Sequence, residues 1–461
     1  MSAEKNEIGM GFTPDFEQLN DMLDNRQLLK LKNTIADMNE YDVAAFIEEL
    51  DSEKALLVFR LLQKDTASDV FAYLPSDKQE HIIKCTNDED LHDMIEELFV
   101  DDVVDLLEEL PASVVRRILQ NANPSKRKII NQFLQYPDSS AGSIMTSEYV
   151  ALKKAMTVSG ALDYIRRNGV DKETIYTCYV TSQQRQLEGV VTLKDLVMSA
   201  GDVVIADIMD THVIKCITTD EQEDVARAFT DYDLLALPVV DHENRIVGII
   251  TVDDAVDVME EEATEDIEKM AAIIPSEKPY FKTGIFETWK KRIPWLMLLM
   301  ISATFTGSII TSYEDALKSV VILTSFIPML MDTGGNSGGQ ASVTVIRGLS
   351  LNEIEFSDIF RVIWKEVRVA FLCGISLAAV SFIKIILVDN TDSYLIPFVV
   401  SLTMFITVVI AKMIGCSLPM LAKKIGLDPA VMASPFITTI VDAVSLVVYF
   451  KISCSLIPQL W

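Results

Sequence analysis

The sequence predicts a multi-domain protein: an all-α superhelical N-terminal domain, an α/β domain built from a tandem repeat, and an α-helical transmembrane domain with five helices. Three observations carry that prediction. First, a mean hydropathy of +0.26 coexists with 23% charged residues, and the two properties separate when the 461-residue chain is divided near Lys282. The front part holds 27 basic against 56 acidic residues, net −29, and the rear part 13 against 12, net +1. Second, leucines recur at a 12-residue period early in the chain. Third, a strand–helix–strand–strand–helix pattern occurs twice before the apolar half begins.

The leucine period is carried by Leu50, Leu62, Leu74, Leu98, Leu110 and Leu134, several of which end phrases such as "FIEEL" and "LLEELP". A short helix plus a turn fits that period, and stacked short helices form a solenoid-like bundle. The N-terminal domain, 1–136, is therefore expected to be all-helical over 15–136. The acidic excess of the whole front part repels nucleic acid and anionic lipid and attracts cations. Six dispersed cysteines without CxxC spacing, and four histidines without HExxH, indicate neither a zinc site nor a disulfide framework. The N-terminus has no basic n-region followed by an apolar core, so no cleaved signal peptide is expected and the front half should be cytoplasmic.

The repeat occupies 137–200 and 201–257. "GVVTLKD" ends the first copy and "GIITVDD" the second, the G-h-h-T-x-x-D ending of a CBS-domain pair, which the region resembles. That resemblance implies an adenine-nucleotide site, such as for ATP, at Thr192, Asp195, Thr251 and Asp254. The plain physical alternative is a tight strand end at Gly and a helix capped by Asp. A connecting helix is expected over 258–284. The stretch from Asp253 to Ile273 holds nine acidic residues against one lysine, and Asp257, Glu261 and Glu265 repel one another at i, i+4. Either the helix is a solvated face, or divalent cations bridge its carboxylates to other acidic clusters such as "FVDDVVDLLEEL". Mg²⁺ suits such bridging because it keeps several waters.

The rear domain, 285–461, holds apolar runs at about 293–311, 319–346, 369–388, 395–421 and 430–457, each near the roughly 20 residues a spanning helix needs. Basic residues concentrate before the first run and in the connections 347–368 and 423–424. That places the N-terminus inside and, after five spans, the C-terminus outside. Trp289, Trp295 and Trp461 fall at run ends, where an aromatic belt belongs. The second run contains "PMLMDTGGNSGGQ", in which Pro328 and the glycines should break the helix. Glycines alone would suit close packing, but Asp332, Asn336 and Gln340 at i, i+4, i+8 also place three polar groups on one face. In the fifth run Asp442 falls near mid-membrane, where an ionisable residue marks function by default.

The domain order, with "PMLMDTGGNSGGQ" and "DPAVMASPFITTIVD", resembles the MgtE family of magnesium channels over essentially the whole chain. The resemblance implies a homodimeric, multi-pass protein of the plasma (inner) membrane that imports Mg²⁺, with a pore lined by the second and fifth helices. Asp442 would hold hydrated Mg²⁺, with Thr438 and Ser434 one and two turns before it, and Asn336 and Asp332 on the second helix. It also implies closure by intracellular Mg²⁺ at regulatory carboxylates. These are Asp69, Asp101 and Asp105 in the helical domain, Glu223, Asp233 and Asp254 in the CBS pair, and Asp257, Glu262, Glu265 and Asp266 on the connecting "plug" helix. A secondary transporter coupled to Na⁺ or H⁺, and a membrane-anchored sensor of nucleotide or Mg²⁺, are the rival classes. No Walker-type motif or nucleophile–His–acid combination points to an enzyme.

Overall fold

The computed structural model describes residues 16–276, 280, 283–389, 393–432 and 434–457, with the side chains of Asp65 and Ser434 outside the description. Two compact units divide at Met259 and Glu260.

The first unit opens with ten helices, α1 (Phe16–Asp24) to α10 (Pro124–Phe133). From α3 (Glu40–Glu49) onward, the residues that precede the helices are Asn39, Asp51, Gln63, Pro75, Asn87, Phe99, Pro111 and Asn123. Each stands 12 residues after the last, so the leucine period is the period of helix starts. Asn39, Asp51, Asn87 and Asn123 accept backbone N–H bonds of the turns they open, satisfying donors that a helix leaves orphaned. Leu50, Leu74, Leu98 and Leu110 are buried at the far ends, while Leu134 is exposed. A helix packs against the one two places along, as α8 (Val100–Glu109) does with α10, which is the superhelical arrangement expected.

Two three-stranded sheets follow. In the first, β1 (Val150–Leu152) runs parallel to β2 (Thr177–Thr181), which pairs antiparallel with β3 (Leu187–Thr192). The second repeats this with β4 (Cys216–Ile217), β5 (Ala236–Val240) and β6 (Ile246–Thr251). The accompanying helices are α11 (Val158–Asn168), α12 (Leu193–Met198), α13 (Ile205–Ile208) and α14 (Gln222–Tyr232). The copies interlock, since Thr146 and Ile249 exchange backbone hydrogen bonds of 2.7 and 2.8 Å. The connecting helix is not a separate element beginning near 258: α15 (Val252–Met270) starts directly from β6.

The second unit contains α16 (Ile285–Ser312), α17 (Glu314–Ser319), α18 (Ile327–Ser350), α19 (Ile359–Val388), α20 (Leu395–Lys424) and α21 (Ser434–Leu456). Among the described residues four helical segments are long and apolar enough to cross a membrane, not the five expected: Ile285–Ser312, Phe356–Val388, Leu395–Lys424 and Pro429–Leu456. The expected second run forms a continuous helix, α18, but its Asp, Asn, Gln and glycines make it too polar to count as a fifth span by composition. Nor is it broken. Pro328 sits in the first turn, where its missing N–H would have no helical partner anyway, and the helix continues through all four glycines. Residues 321–326, expected inside that span, form a separate 3₁₀ segment, Val321–Phe326. Trp461 lies outside the described residues.

Candidate functional site

The two faces of α18 answer the two readings of its glycines. One face is buried: a Cβ at Gly334 would come within 2.8 Å of Thr407, one at Gly335 within 2.8 Å of Thr438, and one at Gly338 within 2.9 Å of Ile437. Small residues here let α18 approach α20 and α21 closely. The other face exposes Asp332, Asn336 and Gln340, with the Asn336 Nδ2 donating to Asp332 Oδ1 at 3.2 Å. Packing explains the glycines and leaves the polar stripe unexplained.

Asp442 lies eight residues into α21, about 12 Å along it. Its neighbour Val441 is buried against Gly334 and Gly338, so the backbone holding the carboxylate is fixed by the glycine packing. Asp442 Oδ1 is itself buried and has no hydrogen-bond partner among the described residues. Thr438 lies one turn earlier, against Gly335. The side chain of Ser434, a further turn back, is outside the description.

The expected regulatory carboxylates fall into separate groups. Within the first unit, Asp101 and Asp102 on α8 share an electrostatic field with Asp254, Glu173 and Glu148, and Asp69 acts on Asp102. Burial, then the neighbouring carboxylates, push Asp101 well above the ordinary carboxylate range. Burial likewise raises Asp102 to about 6, with Asp254 as the next cause, and Glu173 to about 7, again followed by Asp254. Burial also raises Asp254, against the hydrogen bonds that Thr251 gives it. Asp101 Oδ1 is buried without a hydrogen-bond partner among the described residues. Concentrated like charge under partial burial is the setting in which a cation stabilises what it joins. Glu223 instead holds Arg227 at 2.9 Å, and Asp233 closes α14 in a left-handed conformation, φ 51°. Asp105 and Asp257 are exposed.

Within the second unit, the end of α15 lies against the membrane bundle. Ser350 Oγ donates to Asp266 at 3.4 Å, Lys269 bridges Asp428 at 2.6 Å and also Glu265, and Met270 packs with Ile346 and Ala430. Burial opposes the charge on Lys269, but its bonds to Asp428 and Glu265 prevail and raise it to about 12. Burial is the first cause raising Asp266, with Asp428 the second and Glu262 a lesser one.

The CBS-type endings are accounted for by structure. A Cβ at Gly189 would sit 2.9 Å from the Asp210 carbonyl, and one at Gly248 would sit 2.6 Å from that of Thr146. Thr192 and Asp195 form a capping box on α12, and Thr251 N and Oγ1 bond Asp254 Oδ2 at 3.2 and 2.6 Å. No three His, Cys, Asp or Glu side chains among the described residues converge as a ready metal cage. Sequence reasoning missed Asp102, Glu148, Glu173 and Asp428. Asp102 stands inside "FVDDVVDLLEEL" and Asp428 opens "DPAVMASPFITTIVD", whereas Glu148 and Glu173 meet only because Glu173 N bonds the Glu148 carbonyl at 2.9 Å.

Comparisons with known proteins agree with this layout. The family profile described as "Divalent cation transporter" matches residues 327–452, "MgtE intracellular N domain" matches 38–139, and "CBS domain" matches 141–201 and 205–261. The chain is 34% identical to the "Magnesium transporter MgtE" of Thermus thermophilus over 427 residues, 92% of this chain and 94% of that one. It is 33% identical to that of Bacillus subtilis, over 95% and 96%. The solved "cytosolic domain of the Mg2+ channel MgtE in complex with ATP" aligns at 35% identity and TM-score 0.50, covering 53% of this chain and all of that one. Matches of this identity and coverage define the class, a membrane transporter of divalent cations. The chain belongs to the MgtE family.

Proposed function

We propose that the protein is a Mg²⁺-selective channel that imports Mg²⁺ across the plasma membrane as a homodimer and closes when intracellular Mg²⁺ occupies its acidic front half. The observation that carries this reading is Asp442: a carboxylate oxygen buried at membrane depth without a hydrogen-bond partner among the described residues, where such a group is costly unless an ion or its hydration water meets it. Asn336 and Asp332 on α18, with Thr438 and Ser434 on α21, would line the approach and hold the ion through its waters. One subunit leaves the stripe Asp332–Asn336–Gln340 exposed. A second copy facing it would enclose a polar path and spare the stripe contact with lipid, which supports the dimer. The N-terminal units would be cytoplasmic and the C-terminus outside.

Asp69, Asp101, Asp105, Glu223, Asp233, Asp254, Asp257, Glu262, Glu265 and Asp266 are the proposed regulatory set, now with Asp102 and Glu173. At low Mg²⁺ the carboxylates repel; bound hydrated ions screen them and favour one arrangement, and a ligand shifts such an equilibrium through its differential affinity. ATP at Thr192, Asp195, Thr251 and Asp254 is a further proposal, supported by the likeness of the front half to a cytosolic domain solved in complex with ATP. Cation flux into liposomes holding the purified protein, with Mg²⁺ varied on the front-half side, tests the whole reading. Currents that rise steadily with voltage and stop at millimolar internal Mg²⁺ are expected; saturating exchange locked to H⁺ or Na⁺ would establish a coupled carrier instead.

A further inference from the structure

Glu366 of α19 and Lys412 of α20 form an ion pair inside the membrane bundle that the proposed path does not use. Oε2 and Nζ stand 3.6 Å apart, and the residues are only 8% and 5% exposed. Lys412 is twelve residues, about 18 Å, before the end of α20, and Glu366 is seven residues, about 10 Å, into α19. Both therefore lie within segments apolar enough to span a membrane. A buried pair is weak support for stability, because well-packed apolar residues usually serve as well or better. What it supplies is direction. Lipid is as apolar as leucine, so apolar contacts alone set the rotation of one membrane helix against another only loosely. A charge pair forms in one setting and leaves two costly charges in any other.

The setting matters because of what α20 carries beside Lys412. The carbonyl of Ala411 lies 3.1 Å from the place a Cβ would occupy on Gly338, Thr407 abuts Gly334, and Gly415 touches the Gly338 backbone. α20 is thus packed on α19 along one side and on α18 along another. A rotation of α20 that breaks the pair would carry Ala411 and Gly415 off Gly338, and α18 would shift with its stripe.

We propose that Glu366 and Lys412 are a positioning pair for cation conduction: their ion pair fixes α20 against α19 and, through Thr407, Ala411 and Gly415, fixes the place of α18. This rests on the reading of α18 as a lining helix. The test is Mg²⁺ flux through the full-length protein in liposomes, with monodispersity in detergent measured on every variant. Lys412→Met and Glu366→Gln should each lower maximal flux about tenfold or more with little change in half-saturating Mg²⁺, because each strands one buried charge. The double variant Glu366→Leu with Lys412→Met should recover most of the flux, and Lys412→Arg, which keeps the pair, should retain it. Full flux in both single variants would overturn the proposal. So would a double variant that is monodisperse yet as inactive as the single ones, since the charges would then act in transport themselves. If the single variants do not fold, the double variant and Lys412→Arg decide by the same criteria. Asn336→Leu, measured alongside, separates the readings: full flux there sinks the lining role of α18, while the recovery pattern still reports on the pair.

Discussion

Gly415 of α20 lies directly against the backbone of Gly338 on α18, and a Cβ built at 415 would run into the Gly338 carbonyl oxygen. The obstacle is backbone, so no rotamer change can relieve it. Gly415→Ala should push the two helices apart at a cost of about 1–3 kcal/mol, the range for overpacking, and should reduce Mg²⁺ flux. Thermal unfolding and flux measured on the same preparation check this; an unchanged melting temperature with full flux would contradict the packing.

Asp442 carries the second prediction. A carboxylate that holds an ion through its hydration shell selects on charge and hydrated size together, so Asp442→Ala should lose preference for Mg²⁺ over Ca²⁺ and monovalent cations. Permeability ratios in planar bilayers provide the measurement. Unaltered ratios would remove Asp442 from the path.

Gating is addressed by exchanging Asp257, Glu262 and Glu265 for their amides, which preserves volume and removes three charges from the chain. If metal-bridged carboxylates favour the closed arrangement, the triple variant should conduct at internal Mg²⁺ concentrations that shut the parent. Its front half should also lose Mg²⁺-dependent protection from proteolysis. Closure at the parent's threshold would show that these three carboxylates do not hold the regulatory Mg²⁺.

The first unit should respond to pH without metal. Asp102 and Glu173 are raised to about 6 and about 7, so both bind protons more tightly when folded than when unfolded. Such groups contribute stability that is fully present below their ordinary pKa values and is lost as pH rises through about 6 to 7. Amide exchange in α8 and around Glu173, corrected for the intrinsic rate, should be slower at pH 5.5 than at pH 8. Mg²⁺ added at pH 8 should slow it again; identical protection at both pH values would refute the shared acidic field.

Local chemistry was legible where it repeats along the chain. The 12-residue leucine period is the spacing of helix starts, and the starts after Asn39, Asp51, Asn87 and Asn123 are set by their own capping side chains without a distant partner. G-h-h-T-x-x-D was legible as strand end and capping box for the same reason, although the close approach of Met209–Asp210 and Met145–Thr146 that requires each glycine was not. The helical break expected at "PMLMDTGGNSGGQ" was wrong because a run of glycines signals flexibility only when nothing packs on it, and here Thr407, Thr438 and Ile437 do.

Charge partition, apolar runs and repeats are sums over neighbours in the chain, so the sequence by itself determined the order of helical domain, tandem repeat, acidic helix and apolar bundle. It also marked Asp442 and the Asp332–Asn336–Gln340 stripe, since a polar residue in an apolar run is visible without coordinates. Which carboxylates share a field, that Lys269 reaches Asp428 across 159 residues, and that Glu366 meets Lys412 were decided only by the tertiary structure. Electrostatic energy depends on distance and on the medium between charges, and neither is written in the spacing of residues along a chain.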